Sequence, residues 1–259
     1  MNNSVVLVED VDEATALLTL NRPSRRNALS VELMASLCQA VISLSAEPRR
    51  RVVIVRGAGP AFCSGLDLDE AAHGESAEES AEAVARTFET LRDSPLVTIA
   101  AAHQAAYAGG AALMACCDFV LAADDLRICF PEVHRGLVPA LAAAALLGRL
   151  RDGDLRELLL LGQPIGVQRA AGMGLVDRVV PSADLLPTAR QLAAAFLQAA
   201  PAALRQTKQC LRDLRRGTVS QAFPSALEYH KRSRLGEEAA EGLTAFRERR
   251  KPIWPGGFP

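Results

Sequence analysis

The stretch Arg56–Asp69, RGAGPAFCSGLDLD, runs on from the apolar segment Val52–Val55 and decides how the rest of the chain is read. A second stretch, Tyr107–Leu113, YAGGAAL, follows the apolar segment Leu96–Ala101. Both are short, glycine-punctuated turns after buried strands. Glycine lets a backbone bend tightly and approach another group closely, so each turn can leave a backbone N–H exposed. Two such groups aimed at one point stabilise an oxygen that becomes negative during a reaction. Downstream, Phe130–Pro139 reads FPEVHRGLVP and contributes one well-placed acid, Glu132. Two amide donors and one acid point to enolate chemistry beside a carbonyl.

Other motifs fit these residues less well. GAG at Gly57–Gly59 begins like a dinucleotide fingerprint, but the third glycine of GxGxxG falls on Phe62 and Pro60 interrupts the turn. Cys63-Ser64-Gly65 is no nucleophile elbow, because GxSxG would need glycine in place of Phe62. An ordinary surface turn remains the competing reading of Arg56–Asp69. Gly109-Gly110 opens a short apolar helix whose first N–H groups are free and lie at the positive end of the dipole. Close helix packing would use the same Ala/Gly-rich run.

A chain of 259 residues has room for one large domain, or a domain with a smaller annex, and for a sizeable core. With 49 % hydrophobic and 23 % charged residues it has the balance of a soluble globular protein. A net charge of −1 gives no ground for a nucleic-acid or membrane partner. The six cysteines contain no CxxC pair and mostly sit in apolar segments. They read as small core residues in a reducing cytoplasm, not as a disulfide framework. The acidic N-terminus lacks the features of a signal peptide, and the longest apolar run, Leu137–Leu147, is too short to span a bilayer. The four histidines are too scattered for a metal-ligand set, and no metal is expected.

Hydrophobic patterning predicts an α/β protein. Val5–Val8 and Ala14–Leu20 read as a hairpin. Ser30 can cap a helix running to about Leu44, with Leu33, Leu37, Val41 and Leu44 on one face. Strands are expected at Val52–Val55, Leu96–Ala101, Phe119–Ala123 and Leu175–Val180. Helices are expected at Ala77–Asp93, Gly109–Cys116, Leu137–Leu150 and Gly153–Leu161, with a polar, mobile loop at His73–Glu79. The unit strand–strand–helix recurs at uneven spacing, as in stacked turns of a spiral. From Ser182 onward the chain reads as almost wholly helical, which divides it into a core over residues 1–181 and a helical region over 182–259.

NRPSRRNAL, GAGPAFCSGLDLDE, YAGGAALMACCDFVLAADD, FPEVHRGLVPA and the terminal AFRERRKPIWPG occur in the order of the crotonase superfamily. The chain resembles an enoyl-CoA hydratase/isomerase family member along nearly its whole length. The resemblance implies a spiral of ββα units, a helical C-terminal region that makes homotrimers or hexamers, and an acyl-CoA substrate. It implies no cofactor beyond the coenzyme A carried by that substrate. It places the oxyanion hole on the N–H groups of Leu66 and Gly109, and the acid/base on Glu132. CoA and acyl contacts fall on Arg25, Arg26, Ala28, Ser64, Gly65, Asp67, Leu68, Gly110 and Pro131. Arg249 falls on the cation that meets CoA phosphates held by a neighbouring subunit.

Departures from the family pattern bear on substrate and reaction. Family hydratases use a second glutamate, three residues after the oxyanion-hole glycine; here that position is Ala112. One carboxylate can still move a proton between two carbons of a bound enolate, so the site resembles the single-glutamate isomerases. Hydration stays open as an alternative. The run Pro139–Ala145 replaces glycines and resembles a branch that dehydrates or decarboxylates intermediates on acyl carrier protein. A catalytically weak CoA-binding homologue is the non-enzymatic alternative. Gln104 stands where a glycine is usual. A salt bridge to Arg135 is the competing role for Glu132. His103 and Asp118 read as structural hydrogen-bonding residues, His134 as solvent-facing, His230 as a remote candidate near the site, and Trp254 as a subunit-interface residue.

Overall fold

The structure, a computed structural model, describes residues 4–71, 77–217 and 219–255. Two compact units emerge, Met1–Ala193 and Ala194–Pro259. In the first, β1 (Val6–Asp10) and β2 (Thr15–Leu20) form an antiparallel hairpin with Val6 opposite Leu20. Asp12 Oδ1 fixes the turn by accepting from the N–H groups of Ala14 and Thr15 at 2.8 and 2.7 Å. Helix α1 (Val31–Ala46) starts where Ser30 Oγ accepts from Leu33 N–H at 3.2 Å, and the four leucine and valine positions of its apolar stripe are buried.

Next come β3 (Val52–Gly57), α2 (Leu68–Ala71), α3 (Ala77–Asp93), β4 (Val97–Ala102), β5 (Ala105–Tyr107), α4 (Gly109–Ala115), β6 (Phe119–Ala123) and β7 (Arg127–Cys129). After them come α5 (Ala140–Leu146), α6 (Asp152–Leu161), β8 (Ile165–Gly166), α7 (Val167–Met173), β9 (Arg178–Val180) and α8 (Leu185–Leu197). The main sheet has the order β1-β2-β3-β4-β6-β9, and every pairing after the hairpin is parallel. A smaller sheet has the order β5-β7-β8. The chain alternates between the two, β4 then β5, β6 then β7, which winds it into the spiral. All six residues of β2 and of β4 are buried, as expected of strands covered on both faces.

Several elements differ from the sequence expectation, for physical reasons. The helix expected over Leu137–Leu150 shrinks to α5. Gly136 is left-handed (φ +71°) and ends the 3-10 turn before it, while Gly148 (φ +76°) follows its last turn. Strands β5, β7 and β8 have only two or three residues each, too few to carry a period. Of the expected loop His73–Glu79, Ala77–Glu79 begin α3, and residues 72–76 lie outside the described residues. Asp118 behaves as expected: its Oδ2 accepts from Thr98 N–H and Oγ1–H at 2.8 and 3.0 Å, just before β6.

The second unit carries α9 (Pro201–Arg216), α10 (Val219–Arg234) and α11 (Glu237–Glu248). Glu238 caps α9 by accepting from the N–H groups of Ala202 and Ala203 at 2.7 and 2.8 Å. The tail folds back on α11. Arg250 grips Glu241 through two hydrogen bonds, at 2.6 and 3.0 Å. Trp254 rests its ring against Gly242 and donates from Nε1 to the Gln198 carbonyl at 3.0 Å. No helix among the described residues is long and apolar enough to cross a membrane.

Candidate active site

The two glycine-bearing turns meet. A Cβ built on Gly65 would lie 2.9 Å from both Ala108 Cβ and Tyr107 O, and 3.3 Å from Gly109 N. A Cβ built on Gly109 would lie 3.9 Å from Leu66 N. Gly65 itself has φ +93°, where side chains are strained, so it needs glycine for both conformation and space. Its carbonyl accepts from Leu29 N–H at 2.8 Å, and Asp67 N–H donates to Leu29 O at 3.0 Å. This isolated bridge leaves out the N–H of Leu66 itself. Gly109 is the first residue of α4, so no helical carbonyl reaches its N–H. Among the described residues neither the Leu66 nor the Gly109 N–H has a protein acceptor.

The Leu66 loop is tied down by polar groups. Asp67 is buried, with 5 % of its side chain exposed; it accepts from Arg22 at 2.9 Å and from Arg25 at 3.1 Å. Burial pushes its carboxyl up, but the hydrogen bonds and charges of Arg22 and Arg25 outweigh that and hold it below the usual range. Arg25 also pairs with Asp69, and Arg22 donates to Ala28 O at 2.7 Å. Ser64 is anchored through its N–H to Arg26 O at 3.0 Å. Leu68 is half-exposed where α2 begins. Arg26 is exposed and left-handed (φ +50°), with no partner for its guanidinium among the described residues.

Asn27 is the residue that sequence reasoning overlooked here. It is buried and left-handed (φ +56°), a conformation asparagine tolerates. Its Oδ1 accepts from Arg22 N–H at 2.9 Å, and its Nδ2 donates to Ala58 O and Ala61 O at 2.9 and 2.8 Å. It thereby fastens the Arg-rich turn to the loop that leads into Leu66. The only signal in the sequence was an asparagine ending an arginine run before a helix cap.

The Gly109 side is set by close packing instead. Gly110 presses on the Cys63 backbone, where any Cβ would collide with Cys63 O. Ala108 has φ +49° and ψ −125°, a sparsely populated conformation for alanine, and donates to Cys129 O at 2.7 Å. That peptide geometry turns the next N–H, of Gly109, outward. Cys63 is paired to Ala106 across an isolated bridge, and burial pushes its thiol up to about 12, so it is no nucleophile at neutral pH.

Glu132 arrives from the neighbouring strand. Tyr107 is in register with Cys129, so β5 runs out into Ala108-Gly109 beside the point where β7 runs out into Phe130-Pro131-Glu132. Pro131 opens a 3-10 turn, Pro131–Arg135, with Glu132 in its first turn. Glu132 Oε2 is buried and has no hydrogen-bond partner among the described residues. Burial raises its carboxyl above the usual value, and the hydrogen bond from its own backbone N–H and the charge of Arg135 only partly oppose this. The alternative role, a salt bridge to Arg135, does not form: no ion pair joins them among the described residues. A partly desolvated carboxyl with no ion-pair partner is typical of acid/base positions. Ala112 is wholly buried in α4.

Other candidates fall elsewhere. His103 Nε2 lies 2.9 Å from Gly59 O, a structural link. His134 is exposed but also lies 2.8 Å from Leu161 O. His230 is exposed on α10, and His73 lies outside the described residues. Arg249 belongs to the second compact unit, where it is exposed and ends α11 with φ +55°. Gln104, too, is left-handed (φ +51°), which explains why glycine suits that position.

Comparison with known proteins bears on the whole arrangement. The family model for enoyl-CoA hydratase/isomerase matches residues 10–257. A putative enoyl-CoA hydratase of Thermus thermophilus is 35 % identical over 92 % of this chain and 96 % of its own length. An enoyl-CoA isomerase/hydratase of Mycosarcoma maydis is 32 % identical over 92 % of both chains. The crystal structure of an enoyl-CoA hydratase from Bacillus anthracis superimposes with a TM-score of 0.93 at 28 % identity, covering 97 % of this chain and 99 % of that one. With the spiral fold and the paired turns, these matches make the chain a member of the enoyl-CoA hydratase/isomerase family, within the crotonase superfamily.

Proposed function

We propose that the protein isomerises the double bond of an enoyl-CoA thioester with Glu132 as its single acid/base. The observation that carries this reading is the contrast between Glu132, whose Oε2 is buried with no hydrogen-bond partner among the described residues, and Ala112, a methyl group where a second acid would be needed. The thioester carbonyl accepts from Leu66 N–H and Gly109 N–H. As a carboxylate, Glu132 takes a proton from the α- or γ-carbon, and the negative charge moves onto the thioester oxygen. Glu132 then returns the proton to the other end of the conjugated system, which shifts the double bond. Losing one donor of such a pair typically costs about 3–4 kcal/mol of transition-state stabilisation. Glu132's raised affinity for protons makes it a stronger base than an ordinary carboxylate. The reaction needs no cofactor beyond the CoA of the substrate. Arg26, exposed beside the Leu66 loop, is a CoA contact, and Arg249 is the cation assigned to the phosphates of CoA held by a neighbouring subunit.

Oligomer formation belongs to the same reading. Phe223, Leu235, Phe246 and Ile253 are 87, 89, 82 and 71 % exposed in the helical unit, large apolar side chains that a subunit interface would cover. A trimer or hexamer covers it, and light scattering at micromolar concentration checks this; a clean monomer would sink the assignment. The direct test of the chemistry is Glu132→Gln. Turnover should vanish while CoA binding remains. Because burial raises the Glu132 carboxyl, its ionised form destabilises the fold above the ordinary carboxylate range. The variant should therefore melt slightly higher than the parent at neutral pH, with the gap closing in acid, where both side chains are neutral. Turnover near the parent's level would refute the role of Glu132.

A further inference from the structure

The turn that carries Glu132 is fastened at two points to the C-terminal end of α6. Before it, the Cys129 thiol donates to Gly162 O at 3.3 Å. Within it, His134 Nε2 lies 2.8 Å from Leu161 O. A carbonyl oxygen only accepts, so the imidazole carries its proton on Nε2 and donates. Gly162 ends α6 in the left-handed region (φ +61°), and a Cβ there would lie 2.8 and 2.9 Å from His134 Cδ2 and Nε2. The ring thus lies on a bare glycine, its donor reaching the carbonyl one residue earlier. The platform is fixed, since Leu158 and Leu159 of α6 are buried and Asp154 is bound by Arg151 and Arg169. Just past the turn, Leu137 N–H donates back to Glu132 O at 3.0 Å, but Glu132 Oε2 accepts no hydrogen bond among the described residues. Its placement depends on how the backbone of the turn is held.

We propose that His134 is a positioning residue for Glu132, latching the 3-10 turn Pro131–Arg135 to the carbonyl of Leu161. The proposal rests on the reading of Glu132 as the acid/base. It goes beyond that reading by giving an exposed side chain, two positions along, a part in the rate. A displacement of about 1 Å at a reacting group can cost on the order of 100-fold in rate, so a loosened turn should show in kcat.

The test compares His134→Ala, His134→Gln and Glu132→Gln in the full-length protein. His134→Ala should lower kcat about 10-fold or more, with KM, CoA affinity and melting temperature little changed. His134→Gln keeps an N–H donor of similar reach and should recover most of the loss. A purely structural histidine would move the melting temperature and leave the kcat of the folded protein alone. Hydrogen–deuterium exchange over Phe130–Leu137 supplies a readout independent of turnover: it should quicken in His134→Ala and not in His134→Gln. Unchanged kcat and exchange in His134→Ala would overturn the latch. If Glu132→Gln is dead while His134→Ala is fully active, the latch alone fails. If Glu132→Gln is active, the reading of Glu132 fails, and the exchange data still decide whether His134 holds the turn.

Discussion

The two candidate amide donors, Leu66 and Gly109 N–H, are held by opposite means. The Leu66 loop has no helix or strand of its own at that point. It is pinned by charge and hydrogen bonding, through Asp67 between Arg22 and Arg25 and through Asn27 across the turn. Gly109 opens a helix made of small residues, and closeness alone sets it: Gly110 against Cys63, Gly65 against Ala108. An irregular loop must have its backbone groups answered from outside, so it recruits buried polar side chains. A helix answers its own groups after the first turn and needs only the absence of side chains in the way.

This contrast makes the packed side the less tolerant. Gly110→Ala puts a methyl group into the Cys63 carbonyl, with backbone on both sides and no flexible side chain to yield. Denaturant unfolding should show a loss of about 3 kcal/mol or more, at the upper end of overpacking effects. An unchanged midpoint would mean that the two turns are not pressed together as described.

The polar side should fail more gradually, and in a pH-dependent way. Asp67→Asn keeps the shape and removes the charge that Arg22 and Arg25 share. It should lower kcat by roughly 100-fold through displacement of Leu66, while the protein still folds. Because Asp67 is held below the usual carboxylate range, its contribution is present at neutral pH and is lost as pH falls through that lowered value. The stability gap between parent and variant should therefore be widest near pH 7 and narrow in strong acid. A gap independent of pH would assign the anchoring to shape rather than charge.

The smallest effect is expected where strain serves neither donor. Gln104 is exposed and left-handed, with its N–H bound to Asp125 Oδ1 at 3.0 Å. Gln104→Gly keeps that backbone bond and removes the left-handed penalty of about 1–2 kcal/mol, offset by glycine's entropy. A gain of roughly 0.5–1 kcal/mol with unchanged kcat is the expected outcome. Lost activity would place Gln104 in the site.

Much of this was legible in the sequence, and the rest was hidden for identifiable reasons. The apolar stripe of α1, the Ser30 cap and the buried runs of β2, β3 and β4 follow from hydrophobic period and capping chemistry. The candidate donors and the acid could be found because each lies in a turn whose composition is unusual. Asn27 could not, because its Nδ2 donates to the loop carbonyls of Ala58 and Ala61, more than thirty residues along the chain. The short strands β5, β7 and β8 carry no period, yet the pairing of β5 with β7 is what brings Glu132 alongside Gly109. The false extension of α5 came from reading apolar composition through Pro139, which stands just before the first helical residue, and through Gly148, which is left-handed beyond the last turn.

One carboxylate, without a second acid at Ala112, is expected to serve proton transfer between carbons but not the addition of water. The most direct test gives the purified protein crotonyl-CoA and a 3-enoyl-CoA in parallel and compares the initial rates of hydration and isomerisation. The account predicts isomerisation of the 3-enoyl thioester, abolished in Glu132→Gln, and little hydration of crotonyl-CoA. Efficient hydration of crotonyl-CoA by the parent protein would contradict it.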